Sequence, residues 1–152
     1  MGIKRIAVGM SAVLGAALAA QAFAQAKPDV LVKQRQAAMT LIGKYFGPLG
    51  AMAKGAAPYN ASVVQRNAAY LEVLGQMPWD GFHESTKGEK SGALPAVWEK
   101  PAEFKQAQER MQAEIAKLVQ VAKGGDEASV KNQIAAVSRT CGGCHDTFRE
   151  KR

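Results

Sequence analysis

Apolar residues in this chain recur at steps of three and four in four separate stretches, and that spacing describes helices with one buried face each. Near the C-terminus the stripe is Val130, Ile134, Val137, Cys141, Cys144 and Phe148. Phe104, Met111, Ile115, Leu118 and Ala122 form another, and Val64, Asn67, Leu71 and Leu74 a third. The first stretch gives Val32, Arg35, Met39, Ile42, Phe46 and Leu49. Boundary signals agree. Pro28-Asp29 suits a first helical turn, and Gly47-Pro48 predicts an interruption before the helix resumes toward Lys54. Asn60 or Ser62 can cap the second helix, which ends near Leu74-Gly75. The third runs from Pro101 to Gly124-Gly125, and Asp126 caps a fourth that is expected to continue to the C-terminus. Residues 77–100 form a long connection rich in Gly, Pro and Ser, which needs a surface to pack on. There is no strand alternation and no internal repeat. The fold predicted is all-α, an antiparallel four-helix bundle.

The N-terminus has the three-part build of a secretory signal: Lys4-Arg5, an apolar run from Ile6 to about Ala20, and the small-x-small pattern Ala22-Phe23-Ala24. The apolar run is short of the ~20 residues of a spanning helix. Residues 1–24 are therefore expected to be removed, leaving 25–152 as a single domain in the periplasm with no membrane segment. Cleavage takes away two bases and no acid, so the formal charge of +7 falls to +5. That excess fits acidic partners, and no interleaving of aromatic and basic residues points to nucleic acid.

Cys141-Gly142-Gly143-Cys144-His145 is the attachment pattern of haem c. Two thiols are needed for two thioether bonds to one porphyrin, and the adjacent imidazole places a nitrogen on the iron. A redox-active pair would want a βαβ context, and a structural zinc four ligands, with only His83 left to help. One haem per chain, attached through Cys141 and Cys144 and ligated by His145, would lie against the inward seam of the last helix. The iron's other side decides the chemistry, and Met39 on an inward stripe and His83 in the polar loop are the candidate ligands there. Arg35, one turn before Met39, either snorkels to water or pairs with a haem propionate. Arg149, one turn after His145, flanks the proximal face. No distal His-Arg pair supports peroxidase chemistry, so a carrier is expected and not an enzyme.

The chain resembles cytochrome c′, the class II c-type cytochromes of bacterial periplasms. The resemblance covers the mature chain. It runs through Arg35-Gln36-Ala37-Ala38-Met39-Thr40-Leu41, Phe46-Gly47, Lys54-Gly55 with Ala57-Pro58-Tyr59, Pro78-Trp79 with Phe82, Pro95-Ala96-Val97-Trp98, Phe104-Lys105, and Cys141 to His145 with Asp146 and Arg149. It implies a homodimer packed through the first two helices and a five-coordinate, high-spin haem that binds nitric oxide and carbon monoxide and passes electrons to an unknown redox partner. By the same resemblance Met39 shields the iron without ligating it, Arg35 and Gln36 lie near the propionates, Trp79 and Phe82 surround the haem, and Arg149 stands beside His145. A low-spin electron carrier with Met39 as sixth ligand is the alternative.

A haem in the seam would add a large apolar surface to a small core. Chain that has not received haem is therefore expected to be poorly folded, and to lack native-like near-UV circular dichroism.

Overall fold

The computed structural model describes residues 26–151. The signal peptide expected over residues 1–24 lies outside them. Five helices follow in order: α1 (Pro28–Ala53), α2 (Ala61–Leu74), α3 (Ala96–Glu99), α4 (Pro101–Gly124) and α5 (Glu127–Phe148). The four long ones form the bundle. α1 packs on α2 and α5, and α4 packs on the same two, so the four close into a ring. Gln65 at the start of α2 donates to the Ala122 carbonyl at the end of α4, and Gln112 in α4 donates to the Gly75 carbonyl beyond α2. α2 and α4 are therefore antiparallel neighbours.

The stripes expected from spacing are the buried faces. Val64, Asn67, Leu71 and Leu74 are all buried in α2, as are Met111, Ile115, Leu118 and Ala122 in α4 and Val130, Ile134, Val137 and Phe148 in α5. The caps follow from short side chains with free oxygens. Asn60 accepts from the Val63 amide at 3.0 Å, and Asp126 accepts from the Ser129 amide at 2.9 Å and its hydroxyl at 2.8 Å. The amide donation holds the Asp126 carboxyl below its ordinary range. Asn67, the polar member of the α2 stripe, donates to the Tyr45 carbonyl of α1 at 3.0 Å, which satisfies a buried amide.

Two helix boundaries differ from expectation. α1 does not break at Gly47-Pro48 but runs through it. Pro48 lacks the amide that would bond the Lys44 carbonyl, yet both residues are exposed and water can serve that oxygen. Gly47 carries no Cβ to clash with the proline ring, and Ile42, Leu49 and Met52 anchor the helix on both sides. α5, by contrast, stops at Phe148. There the chain turns extended and pairs with the long connection: the Leu94 amide donates to the Phe148 carbonyl at 3.0 Å and the Glu150 amide to the Gly92 carbonyl at 2.9 Å. The connection itself carries two 3₁₀ turns, Trp79–Phe82 and Glu84–Thr86, besides α3. Its contact with α1 is tightest at Gly81, where a Cβ would lie 2.6 Å from the Arg35 Cβ and 2.8 Å from the Leu31 carbonyl oxygen.

Leu71 is fully buried. Leu71→Ala is expected to cost about 2–5 kcal/mol of stability, and Glu72→Ala on the exposed side of the same turn less than about 0.5, in urea unfolding of the haem-loaded protein.

Candidate haem site

One end of the bundle gathers the candidate residues: the first turns of α1, the 79–98 connection, the start of α4 and the end of α5. Cys141 and Cys144 are half-buried and neither is in a disulfide. Cys141 packs against the main core, while Cys144 packs against a second cluster formed by Val97, Ala107 and Phe148. The two sulfurs thus bridge the two apolar regions. Burial pushes both thiols above their ordinary range, and for Cys144 the neighbouring Cys141 adds to this while Arg110 opposes it. These are neutral thiols, unlike the low-pKa thiolates of redox-active pairs. His145 is half-buried beside them. Among the described residues no three His, Cys, Asp or Glu side chains gather as a metal-binding group.

Aromatic rings line this end. Trp79 stacks on Phe82 at 6.2 Å between centroids, Phe82 meets the edge of Phe104 at 4.9 Å, and Phe104 meets Phe148 at 5.1 Å. Both tryptophan N–H groups are bonded, Trp79 to the Gly75 carbonyl at 2.7 Å and Trp98 to the Phe82 carbonyl at 3.1 Å. Phe104 and Phe148 belong to this wall. Their place on inward stripes was visible in the sequence, but nothing there tied them to Trp79 and Phe82.

Arg35 does not snorkel. It is 3% exposed, and its guanidinium lies 4.5 Å from the Phe82 ring centroid. One terminal nitrogen donates to the Gly81 carbonyl and to the Thr86 hydroxyl at 2.9 Å, and the other donates to the Ser91 hydroxyl at 2.8 Å. Burial pulls its pKa down from the usual arginine range, but an arginine so bonded stays charged. The acceptors Gly81, Thr86 and Ser91 had no sequence signal beyond lying in a polar loop. Met39 is half-buried against the main core, and Gln36 is exposed. His83 is also exposed, and its Nδ1 faces the Ser85 amide at 3.1 Å, so it caps its own turn.

Arg149 adds a distinct signal. Its Nε is buried with no acceptor from the protein. Such a donor is costly unless another group serves it. With two neutral thiols three residues apart, an adjacent imidazole and an aromatic wall, this unserved donor fits an apolar macrocycle bearing carboxylates, which is what haem is.

Comparison with known proteins agrees. The family model described as cytochrome C′ matches residues 30–149. The crystal structure of cytochrome c′ from Rubrivivax gelatinosus is similar with a TM-score of 0.77 and 40% identity, over 82% of this chain and 98% of that one. A nitric oxide complex of a variant of cytochrome c prime from Alcaligenes xylosoxidans gives 0.76 and 38%, over 84% and 98%. A carbon monoxide-bound variant of the same protein gives 0.76 and 38%, over 83% and 98%. The bundle, the matched span and the thiol pair with its histidine lead to one conclusion: this chain belongs to the cytochrome c′ family, whose cofactor is haem c.

Proposed function

We propose that the chain is a periplasmic carrier that binds nitric oxide and carbon monoxide at a haem iron held from one side by His145, and that it passes single electrons without catalysing a reaction of its own. The observation that carries this is the arrangement on α5. Two unlinked, neutral, half-buried thiols sit beside an imidazole, where the main core meets the aromatic wall. When bound, haem supplies an iron that takes a diatomic ligand and alternates between ferric and ferrous states.

The residues divide the remaining work. Cys141 and Cys144 would hold the group covalently, and His145 would offer its imidazole to the iron. Met39 offers hydrocarbon and sulfur and no hydrogen-bond donor on the distal side. A bound dioxygen gathers negative charge and needs a donor, whereas nitric oxide does not, so such a roof favours nitric oxide. Trp79 and Phe82 wall the group with rings. Arg35 would supply buried positive charge toward the haem carboxylates while its hydrogen bonds secure the loop carrying those rings, and Gln36 stands on the exposed side of the same helix. Arg149 offers its Nε near the proximal histidine. The nitric oxide and carbon monoxide complexes of the Alcaligenes relative support the choice of ligands.

Two further features support the rest. No described helix is long and apolar enough to cross a membrane, which suits a chain released after signal cleavage. Leu41 of α1, Tyr70 and Val73 of α2 and the adjoining Met77 are large apolar groups left exposed, which supports a homodimer formed through the first two helices.

Mass spectrometry of the exported protein is expected to show the polypeptide from residue 25 plus one haem, with the added mass lost in a Cys141→Ser, Cys144→Ser double variant. A bare polypeptide mass would refute the proposal. Ferric EPR is expected to be high-spin, and a Met-to-iron charge-transfer band in the far red would replace the open site by Met39 ligation. Met39→Ala is expected to speed carbon monoxide association by about tenfold, equivalent to about 1.4 kcal/mol of barrier. An unchanged rate in flash photolysis would remove the shielding role.

A further inference from the structure

The outer surface of the haem end carries a feature that attachment does not require. A groove of about 450 Å³ runs between α4 and α5, lined by Arg110 and Glu114 from one helix and Arg139, Thr140, Gly143 and Cys144 from the other. It exists because the sequence places small side chains there, Ala107 on α4 and Ala136 and Gly143 on α5. Cys144 is half-buried and shared between the groove and the aromatic cluster behind it.

Its lining carries two arginines and one carboxylate, a positive excess. The six ion pairs found among the described residues all join neighbours on a single turn, three or four residues apart, and none includes Arg110 or Arg139. Both arginines are exposed. The one carboxylate in the groove, Glu114, accepts from Lys117 at 2.7 Å and from Gln133 at 2.7 Å; these bonds, with the charges of Lys117 and Arg139 behind them, hold it below its ordinary range. The groove thus presents two forked donors without ion-pair partners among the described residues, around a concave floor that ends at Cys144.

We propose that this groove is the seat of an acidic electron-transfer protein, whose carboxylates engage Arg110 and Arg139 and bring its redox centre over the Cys144 edge. The inference rests on the haem attachment proposed above and adds the place and charge of the partner. One electron would cross between the partner's redox centre and the haem held by this chain, one centre oxidised as the other is reduced, with no proton or group transferred. Forked guanidinium donors suit carboxylate recognition, and opposed charges steer encounter.

The test compares two charge-reversed holoproteins: Arg110→Glu with Arg139→Glu, and Lys54→Glu with Lys123→Glu at the opposite end of the bundle. Both change net charge equally. In stopped-flow oxidation of the ferrous protein at low ionic strength, the arginine variant is expected to slow oxidation by ferricyanide about tenfold and to speed oxidation by tris(phenanthroline)cobalt(III). The lysine variant is expected to shift either rate less than about twofold, and high salt should erase the differences. Addition of poly-L-glutamate to the unmodified protein is expected to move amide resonances of residues 139–144, and not to do so in the arginine variant. Equal effects from both variants would show that only net charge matters and overturn the proposal, as would poly-L-glutamate shifts centred elsewhere. Failure of haem attachment would be seen separately, as the missing haem mass, before any rate is measured.

Discussion

A guanidinium buried to 3% exposure must be given acceptors, and the way Arg35 is supplied with them arranges the whole haem end. Its donors reach the Gly81 carbonyl and the Thr86 and Ser91 hydroxyls, which lie across both 3₁₀ turns of the long connection. The loop approaches close enough to be held because residue 81 has no side chain. Once held, the loop presents Gly92 and Leu94 to the end of α5, and the two backbone bonds to Phe148 and Glu150 end that helix. One buried cation on α1 is therefore linked, through the loop, to the segment that follows His145. The same tie sets Phe82 under the guanidinium and Trp79 beside Phe82.

The site combines two environments that seldom meet. On the inner side, hydrocarbon and aromatic rings raise the cysteine pKa values and leave Arg149 Nε without a protein acceptor. On the outer side, the same pair of helices exposes arginines around a shallow groove. Cys144 stands at the boundary. A covalent tether explains how a large apolar group is retained at such a boundary, since thioether bonds do not depend on the pocket being closed.

Much of the bundle was legible because helical burial has a fixed period. Each inward stripe of α2, α4 and α5 can be read from spacing alone, and so can the Asp126 cap, because capping depends on residues three apart, whereas at α2 the spacing left Asn60 and Ser62 open and the structure chose Asn60. Proline rules predicted a break at Pro48, but those rules describe a local cost, and packing on both sides of an exposed proline outweighed it. The end of α5 was illegible for the opposite reason: no residue near Phe148 stops a helix, and the stop comes from backbone bonds to a loop more than fifty residues earlier.

The sequence by itself determined the buried faces of the four long helices, their bundle and the chemistry of the cofactor, since periodicity and the run Cys141 to His145 are properties of neighbouring residues. Family resemblance then named the residues expected around the haem. Only the tertiary structure decided that Arg35 is sealed into the loop and does not reach water, that Phe104 and Phe148 complete the aromatic wall, and that Arg110 and Arg139 flank one groove. Each of these joins groups far apart along the chain, and the energy that fixes them is burial and hydrogen bonding across that distance, which no local pattern encodes.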